Sequence, residues 1–300
     1  MFRILQGLAL GCTAPLTLVM VSDTLSHRNM GKGIGVFTLC QAVGQAIGPG
    51  LGLRLSSAIG YNRTFLVGAG AILLALALSV RIRETAPARG VYRIAWDRII
   101  EKKALHPAIL IFALQGPYCC ISSFIAIYGE LRGVDGIGLY FTVYALCLLL
   151  TRPLSGAVVD WIGHEAVLMV GIVCFGISFL LISLAQSLGM FLAAAAVSAL
   201  GYGVCQPTLS YLCMSCSPRS RRGAASSTSS IFQSMGLFVG VSLAGWVVDV
   251  LAVSVGDLTS AYAGMYRMMI LPMAFALIYF LVVRRRIAAN MRQARQEDPE

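Results

Sequence analysis

Two groups of residues in this chain have the types and the spacing of a working site. The first lies in the run RPLSGAVVDWIGHE, from Arg152 to Glu165, where Arg152, Gly156 and Asp160 recur four residues apart and share one face of a helix. An arginine inside an apolar segment needs a partner or a wet cavity, and an aspartate is stabilised at the N-terminus of a neighbouring helix. This face predicts an arginine with a partner or a wet cavity and an aspartate at the N-terminus of a neighbouring helix. The alternative is an arginine that extends to the membrane surface and an aspartate in a solvated loop.

The second group is a stripe of small residues. Gly44, Gly48 and Gly52 recur at every fourth position, so one helix face lacks side chains and another backbone can approach it closely. Pro49 removes a backbone hydrogen bond and bends the helix at that point. The stripe predicts a helix that is packed closely against a neighbour and can tilt at the bend. The alternative is that the small residues serve helix packing alone. A second copy of the small face occurs at Gly236, Gly240 and Ala244.

Polar side chains within apolar segments are candidates for lining a cavity, because hydrocarbon does not tolerate them. The candidates are Gln6, Gln41, Gln115, Tyr118, Tyr202, Gln206 and Gln233. Hydrogen bonding to neighbouring helices is the alternative role for about half of them. Few charged groups are present in this set, which favours a neutral or amphipathic small molecule over a dicarboxylate or a sugar phosphate as the substrate.

Other kinds of chemistry are not supported. Gly31, Gly33 and Gly35 lack the G-x-x-x-x-G-K-(S/T) pattern that binds nucleotide phosphates, and no nucleophile–base pair is present. The one C-x-x-C sequence, at Cys213 and Cys216, lacks the second pair or the nearby histidines that a metal site would need. We therefore predict no enzyme, no metal site and no cofactor.

Membrane-spanning helices must position these residues. Apolar residues make up 58% of the chain and charged residues only 12%, and the charges are gathered between long apolar runs. The net charge of +10 lies in loops without interleaved aromatic residues, which argues against nucleic-acid binding. We predict an all-α, polytopic membrane protein with about nine transmembrane helices. They lie roughly at 2–22, 34–58, 64–81, 108–130, 137–159, 166–186, 188–212, 225–250 and 263–283.

Lysine and arginine residues are concentrated in the loops after the first, third and seventh spans and in the C-terminal tail. The alternate loops hold only Arg54, Arg63 and Arg132. The positive-inside rule therefore places the basic loops and the C-terminus in the cytoplasm, in a multi-pass protein of the plasma (inner) membrane. Met1 then lies outside. A secretory signal at 2–22 is the alternative, although no small-x-small cleavage site follows it.

An internal repeat organises the chain. Six positions match at one offset of about 190 residues, pairing Gly11 with Gly203, Pro15 with Pro207, Gly31 with Gly223, Gln41 with Gln233, Gly44 with Gly236 and Gly48 with Gly240. Three spans precede the second copy and none the first, so roughly 85 residues are expected upstream. We predict a truncated N-terminal bundle at 1–81, a cytoplasmic linker at 82–107, a six-helix C-terminal bundle at 108–283 and a basic cytoplasmic tail at 284–300. The linker is either a plain loop or carries an interfacial helix at about 93–103.

Three motifs resemble those of a known family. The run from Arg152 to Glu165 resembles the G-x-x-x-D-(R/K)-x-G-(R/K) loop signature of the major facilitator superfamily, through Gly156, Asp160 and Gly163. The GPGLG sequence from Gly48 to Gly52 is similar to the antiporter motif of the fifth helix, and RILQG from Arg3 to Gly7 to the motif of the fourth. With the repeat, the resemblance covers essentially the whole chain. Basic residues of the loop signature are replaced by Trp161 and His164.

The resemblance implies twelve helices in two six-helix bundles around a central substrate site, and this chain lacks the first three. It implies proton coupling at Arg3, for which an interfacial anchor is the alternative. It also implies a bend at Gly48 and Pro49 that limits leak in antiporters, and a latch of the cytoplasmic gate at Asp160.

We therefore expect a secondary transporter, a proton-coupled exporter of a small molecule, driven by the proton gradient and monomeric in the lipid bilayer. The alternatives are an importer or facilitator of a small metabolite, and a membrane protein that does not transport. A membrane protein that does not transport is expected if the first three helices are missing, because the first bundle then cannot close.

Overall fold

The computed structural model describes residues 2–25, 30–80 and 100–297. Within these ranges the chain forms α-helices and two short 3-10 helices and contains no strand, so the predicted all-α class is confirmed there. The α-helices are α1 (Phe2–Asp23), α2 (Met30–Ile59), α3 (Tyr61–Ser79), α4 (Leu105–Leu131), α5 (Leu139–Ile162), α6 (His164–Leu184), α7 (Leu188–Ser215), α8 (Arg222–Val255), α9 (Leu258–Met268) and α10 (Ile270–Glu297).

The predicted spans match these helices in order. The first eight coincide with α1 to α8, and the ninth coincides with α9 and α10 together. Among the described residues, 7 helical stretches are long and apolar enough to cross a bilayer. The other two predicted spans are occupied by α2 and α5, which are 30 and 24 residues long. Among the described side chains of α5, an apolar stretch runs from Leu139 to Thr151.

The ninth span is interrupted at Met269, whereas the sequence predicts one continuous helix over 263–283. Pro272 explains the break, because it has no N–H for the carbonyl group of Met268 and its ring crowds that group. Before the break, α9 begins at a cap in which the Asp257 carboxylate accepts hydrogen bonds from the hydroxyl and backbone N–H of Ser260, at 2.6 and 2.9 Å. These hydrogen bonds lower the pKa of Asp257.

Helices α4 and α8 pack backbone against backbone. A Cβ atom at Gly236 would lie 2.6 Å from the carbonyl oxygen of Phe112, and one at Gly240 would overlap the backbone of Gly116. Ala244, the next member of the stripe, is fully buried. The small face of the second repeat therefore allows two helices to approach to a distance that any larger side chain would prevent.

The C-terminal tail continues α10 beyond its apolar part. Ile287, Met291 and Ala294 are buried at helical spacing, and the side-chain amide of Asn290 donates a hydrogen bond of 3.1 Å to the carbonyl oxygen of Lys103. The predicted basic tail is thus a helix, described to Glu297, that packs on the end of the linker. Residues 81–99, which include most of the proposed linker helix at 93–103, lie outside the described ranges.

Buried side chains are unevenly distributed between the two parts of the chain. Most of the described core lies in α4 to α10, and α3 contains no buried residue. Helix α3 packs on α2, and α2 in turn packs on α5 and α7, while α1 packs on α8. Helices α1 and α2 therefore connect the first part of the chain to the rest. The predicted division into bundles, linker and tail stays a prediction.

Candidate functional site

The described buried side chains of α1 and α2 gather near one end of the two helices. Among their described side chains, the buried ones are Leu18, Ser22, Met30, Ile34 and Thr38, all near the connection between the two helices. Residues 5–13, in the other half of α1, are exposed. We call the contacted end, where α1 ends and α2, α4 and α8 begin, the basic end. Among the described side chains, those of α1 and α2 that are buried thus lie at the basic end.

A buried ion pair fastens α8 to α1 at the basic end. Arg222, the first residue of α8, is only 1% exposed, and its Nη1 atom donates hydrogen bonds to the Ser22 carbonyl oxygen at 2.9 Å and to Asp23 Oδ1 at 3.2 Å. One turn later, the Ser226 hydroxyl donates a hydrogen bond of 2.8 Å to the Pro15 carbonyl oxygen. Charge pairing and direct hydrogen bonds therefore hold these helices together.

The neighbouring arginine holds the end of the linker. Arg221 pairs with Glu101, which is 3% exposed, and the backbone N–H of Glu101 donates a 2.9 Å hydrogen bond to Thr228 Oγ1. Two residues further, Lys103 forms an ion pair of 2.8 Å with Glu297 of the tail. The start of α8 is therefore tied to α1 on one side and to the linker and tail on the other.

Three of the predicted cavity residues meet in the six-helix part. The Tyr202 hydroxyl of α7 donates a hydrogen bond of 3.0 Å to Gln115 Oε1 of α4. The rings of Tyr118 and Tyr202 are stacked, with centroids 4.2 Å apart and an interplanar angle of 9°. Tyr144 of α5 lies next to them, with its ring centroid 6.4 Å from that of Tyr118. We call Gln115, Tyr118, Tyr144 and Tyr202 the tyrosine cluster.

A Tyr202→Phe substitution removes the hydroxyl from the tyrosine cluster and keeps the stacked ring. We expect the free energy of unfolding in detergent to fall by about 1 kcal/mol, the net contribution of one hydrogen bond between helices. A double-mutant cycle with Gln115→Leu measures the coupling between the two residues. Tyr61→Phe, at an exposed position of α3, is the control and is expected to be neutral. Additive effects in the cycle would contradict the proposed bond.

The other predicted cavity residues lie outside the tyrosine cluster. Gln6 and Gln41 are exposed on α1 and α2. Gln206 and Gln233 are half-buried on α7 and α8, and the Oε1 atom of Gln206 is buried without a hydrogen bond from any described residue. A role in lining a cavity stays a prediction for these four glutamines.

The motif residues are described only in part. Arg3, Gly48, Pro49, Arg152, Gly156 and Asp160 belong to helical backbone, and their side chains lie outside the described part. Gly163 separates α5 from α6 with a φ of 86°, a conformation that favours glycine. A methyl group at Gly44 or Gly52 would meet no atom within 4 Å, so no described helix packs closely on them.

The sequence analysis missed the residues that form the buried contact at the basic end. Asp23 and Arg222 belong to stretches interpreted only as cytoplasmic ends and a basic loop. A usable signal was the unbroken run of hydroxyl residues from Ser226 to Ser230, one turn of helix after Arg222, because such residues form hydrogen bonds between helices in membranes. Tyr144 was missed as well, since a tyrosine in an apolar run also suits a membrane interface.

Solved structures of several transporters have a similar fold. The chain aligns with the human organic anion transporter MFSD10 (TETRAN) at a TM-score of 0.66 and 16% identity, covering 87% of this chain and 67% of that one. It aligns with FucP in the outward conformation at a TM-score of 0.63 and 13% identity, covering 89% and 73%. A bacterial homologue of ferroportin in the outward-facing state gives 0.63 and 16%, covering 86% and 64%. At these identities the likeness concerns the fold alone.

Sequence relatives agree with the fold. The uncharacterized MFS-type transporter YhhS of Salmonella paratyphi C is 27% identical over 219 residues, and that of Escherichia coli K12 is 26% identical over the same length. Each match covers 72% of this chain and 53% of the relative, so the chain spans about half the length of these relatives. The sequence model of the Major Facilitator Superfamily matches residues 1–136 and 108–299. The chain therefore belongs to the Major Facilitator Superfamily, a family of multi-pass membrane transporters rather than of enzymes.

Proposed function

We propose that this chain moves a small molecule across the membrane by alternating access, and that it exports this molecule in exchange for protons. The observation that carries the proposal is the ion pair of Arg222 with Asp23 at the basic end, where the described buried side chains of α1 and α2 also lie. Alternating access requires a contact that closes one side of the molecule and can be broken when the other side closes. A buried pair at one end meets this requirement.

The positive-inside rule supports a cytoplasmic position for the basic end. The loop before α8 contains Arg219, Arg221 and Arg222, and α10 continues into Arg284, Arg285 and Arg286. A contact at this end then closes the cytoplasmic side, which corresponds to an outward-facing state. Two of the similar solved structures are of proteins in an outward or outward-facing state. The C-terminus is cytoplasmic in this arrangement.

The tyrosine cluster supports a neutral or amphipathic substrate. It offers aromatic faces, hydroxyl groups and one amide, without a charged side chain among its four residues. Aromatic faces bind apolar or cationic parts of a ligand, and hydroxyl and amide groups orient its polar atoms. Some similar proteins are named for an organic anion or for fucose, and those substrates belong to those proteins.

Export and proton coupling rest on the resemblance at Arg3 and at Gly48 and Pro49. The test uses everted vesicles from cells that produce the chain, energised by respiration and incubated with a panel of amphipathic fluorescent compounds. We expect uptake of at least one compound into the vesicles, and we expect a protonophore to abolish this uptake. Vesicles from cells without the chain are the control.

The other outcomes separate the alternatives. Uptake that is unaffected by the protonophore would contradict proton coupling. Movement only out of the vesicles would indicate an importer or a facilitator. Absence of movement in both directions, for a chain shown to be folded in the membrane, would contradict transport and favour a membrane protein with another role.

A further inference from the structure

Three consecutive arginines follow the apolar part of α10, and their environments differ. Arg284 lies on the side of α6, where its Nη1 atom is 3.5 Å from Glu165 Oε2. Arg285 is exposed. Arg286 lies on the side of α4, within electrostatic range of both His106 and Tyr279. Arg286 is exposed like Arg285, and it differs from Arg285 by its neutral polar neighbours.

His106 and Tyr279 bridge α4 and α10 beside Arg286. The His106 Nδ1 atom and the Tyr279 hydroxyl are 2.8 Å apart, and the Tyr279 ring stacks on Phe275 with centroids separated by 5.6 Å. Phe275, Tyr279 and Arg286 are spaced by four and seven residues and therefore share one face of α10. Arg286 lies two turns of α10 after Tyr279, on this same face. We call His106, Phe275, Tyr279 and Arg286 the headgroup groove.

The groove has an uncompensated positive charge. Four other cations of the basic end have a carboxylate partner, in the pairs Arg222–Asp23, Arg221–Glu101, Lys103–Glu297 and Arg284–Glu165. Arg286 has no carboxylate partner among the described residues. Its guanidinium group can donate hydrogen bonds to the oxygens of a phosphate group, and one further donor comes from the hydrogen-bonded pair of His106 and Tyr279, the hydroxyl or the imidazole according to the tautomer. The chemistry of this end of the groove therefore fits a phosphate.

The other end of the groove is apolar and faces outward from the helix bundle. Phe275 is 51% exposed and Val282 is 73% exposed, and both lie on the same side of α10 as Tyr279. The arginines mark the boundary of the apolar part of α10, where the headgroups of a bilayer lie. A free phosphate ion would leave these apolar side chains uncovered. A molecule with a phosphate at one end and acyl chains at the other covers both parts.

We propose that the headgroup groove binds the phosphate of an anionic membrane phospholipid, with its acyl chains along Phe275 and Val282. The binding is independent of the transport cycle proposed above, since none of its residues belongs to the tyrosine cluster or to the Arg222–Asp23 pair. Because an exposed arginine contributes moderately to binding an anionic lipid, the loss of Arg286 is expected to weaken retention about five-fold.

The test is native mass spectrometry of the full chain in detergent, with phosphatidylglycerol or phosphatidylcholine of the same acyl chains added. We expect preferential retention of phosphatidylglycerol, and we expect Arg286→Gln to weaken it about five-fold. Arg285→Gln is the matched control, since it removes the same charge from the adjacent exposed position, which points about 100° away from the face of α10 that contains Tyr279. Tyr279→Phe removes only the hydroxyl and is expected to weaken retention as well.

The outcomes that would overturn the proposal are distinct. Equal losses in Arg285→Gln and Arg286→Gln would mean that anionic lipids are attracted by diffuse charge rather than by the groove. Displacement of the lipid by millimolar inorganic phosphate would mean that the site prefers a free ion. Unchanged retention in both Arg286→Gln and Tyr279→Phe would place the lipid elsewhere. Thermal unfolding without added lipid checks that each variant remains folded.

Discussion

An Asp23→Asn variant is expected to lose about 3 kcal/mol in the free energy of unfolding and to open at the basic end. The substitution leaves the guanidinium group of Arg222 fully buried, with the Ser22 carbonyl oxygen as its remaining acceptor from α1. Breaking a buried ion pair from one side costs about 3–5 kcal/mol, because an uncompensated charge stays out of water. The lower value applies because the side chain of Asp23 is itself 27% exposed.

Opening of the basic end can be measured separately from stability. Ser22 is fully buried between α1 and α8, so a Ser22→Cys probe reacts with a maleimide only when these helices separate. A loss of about 3 kcal/mol in the closed state corresponds to a labelling rate about 100-fold higher in the Asp23→Asn background. Mass spectrometry of the peptide containing residue 22 distinguishes this label from labels on the native cysteines.

Two further variants decide whether loss of the Arg222–Asp23 pair causes the opening of the basic end. Glu297→Gln breaks the Lys103–Glu297 pair at the same end, but Glu297 is 40% exposed, so the expected loss is at most about 1 kcal/mol. Combining Asp23→Asn with Arg222→Met removes both charges, and it is expected to recover part of the lost stability. Equal labelling rates in Asp23→Asn and Glu297→Gln would contradict the claim that the Arg222–Asp23 pair keeps the basic end closed. A double variant less stable than Asp23→Asn would contradict it as well.

The sequence could not distinguish Arg221 from Arg222. The two residues are adjacent and identical in type, yet Arg221 is exposed and pairs with the linker, whereas Arg222 is buried against α1. Arg221 ends a 3-10 helix and Arg222 begins α8, so their side chains leave the backbone in different directions, and the end of α1 covers only Arg222. Their surroundings depend on how distant segments dock, and local patterns of hydropathy and charge contain no information about docking.

The helices and part of the candidate site were predictable for a common reason. Apolar runs of about 20 residues are forced by the thickness of the bilayer, so they predicted eight of the spans well. The same constraint identified Gln115, Tyr118 and Tyr202, because polar groups within such runs need partners, and the three residues do meet. The break at Met269 was missed because an apolar run looks continuous across it, although Pro272 was a signal.

The small-residue stripe predicted that backbones approach closely, and its second copy does so in α8. Gly240 meets the backbone of Gly116 of α4, so neither partner can rotate out of the way of an added side chain. Gly240→Ala is therefore expected to push α4 and α8 apart, at a cost of about 1–3 kcal/mol in the free energy of unfolding. The loss falls near the upper end of this range, because both sides of the contact are main chain.

Gly245→Ala in the same helix is the control for Gly240→Ala. A methyl group at Gly245 would meet no atom within 4 Å, so this variant shows only the preference of a helix for alanine, a gain of up to about 1 kcal/mol. The difference between the two variants, measured by unfolding in detergent, then isolates the clash, because the gain in helix propensity is common to both. A larger side chain, as in Gly240→Leu, should increase this difference further. Equal stabilities of Gly240→Ala and Gly245→Ala would mean that α4 and α8 do not pack through their backbones at Gly116.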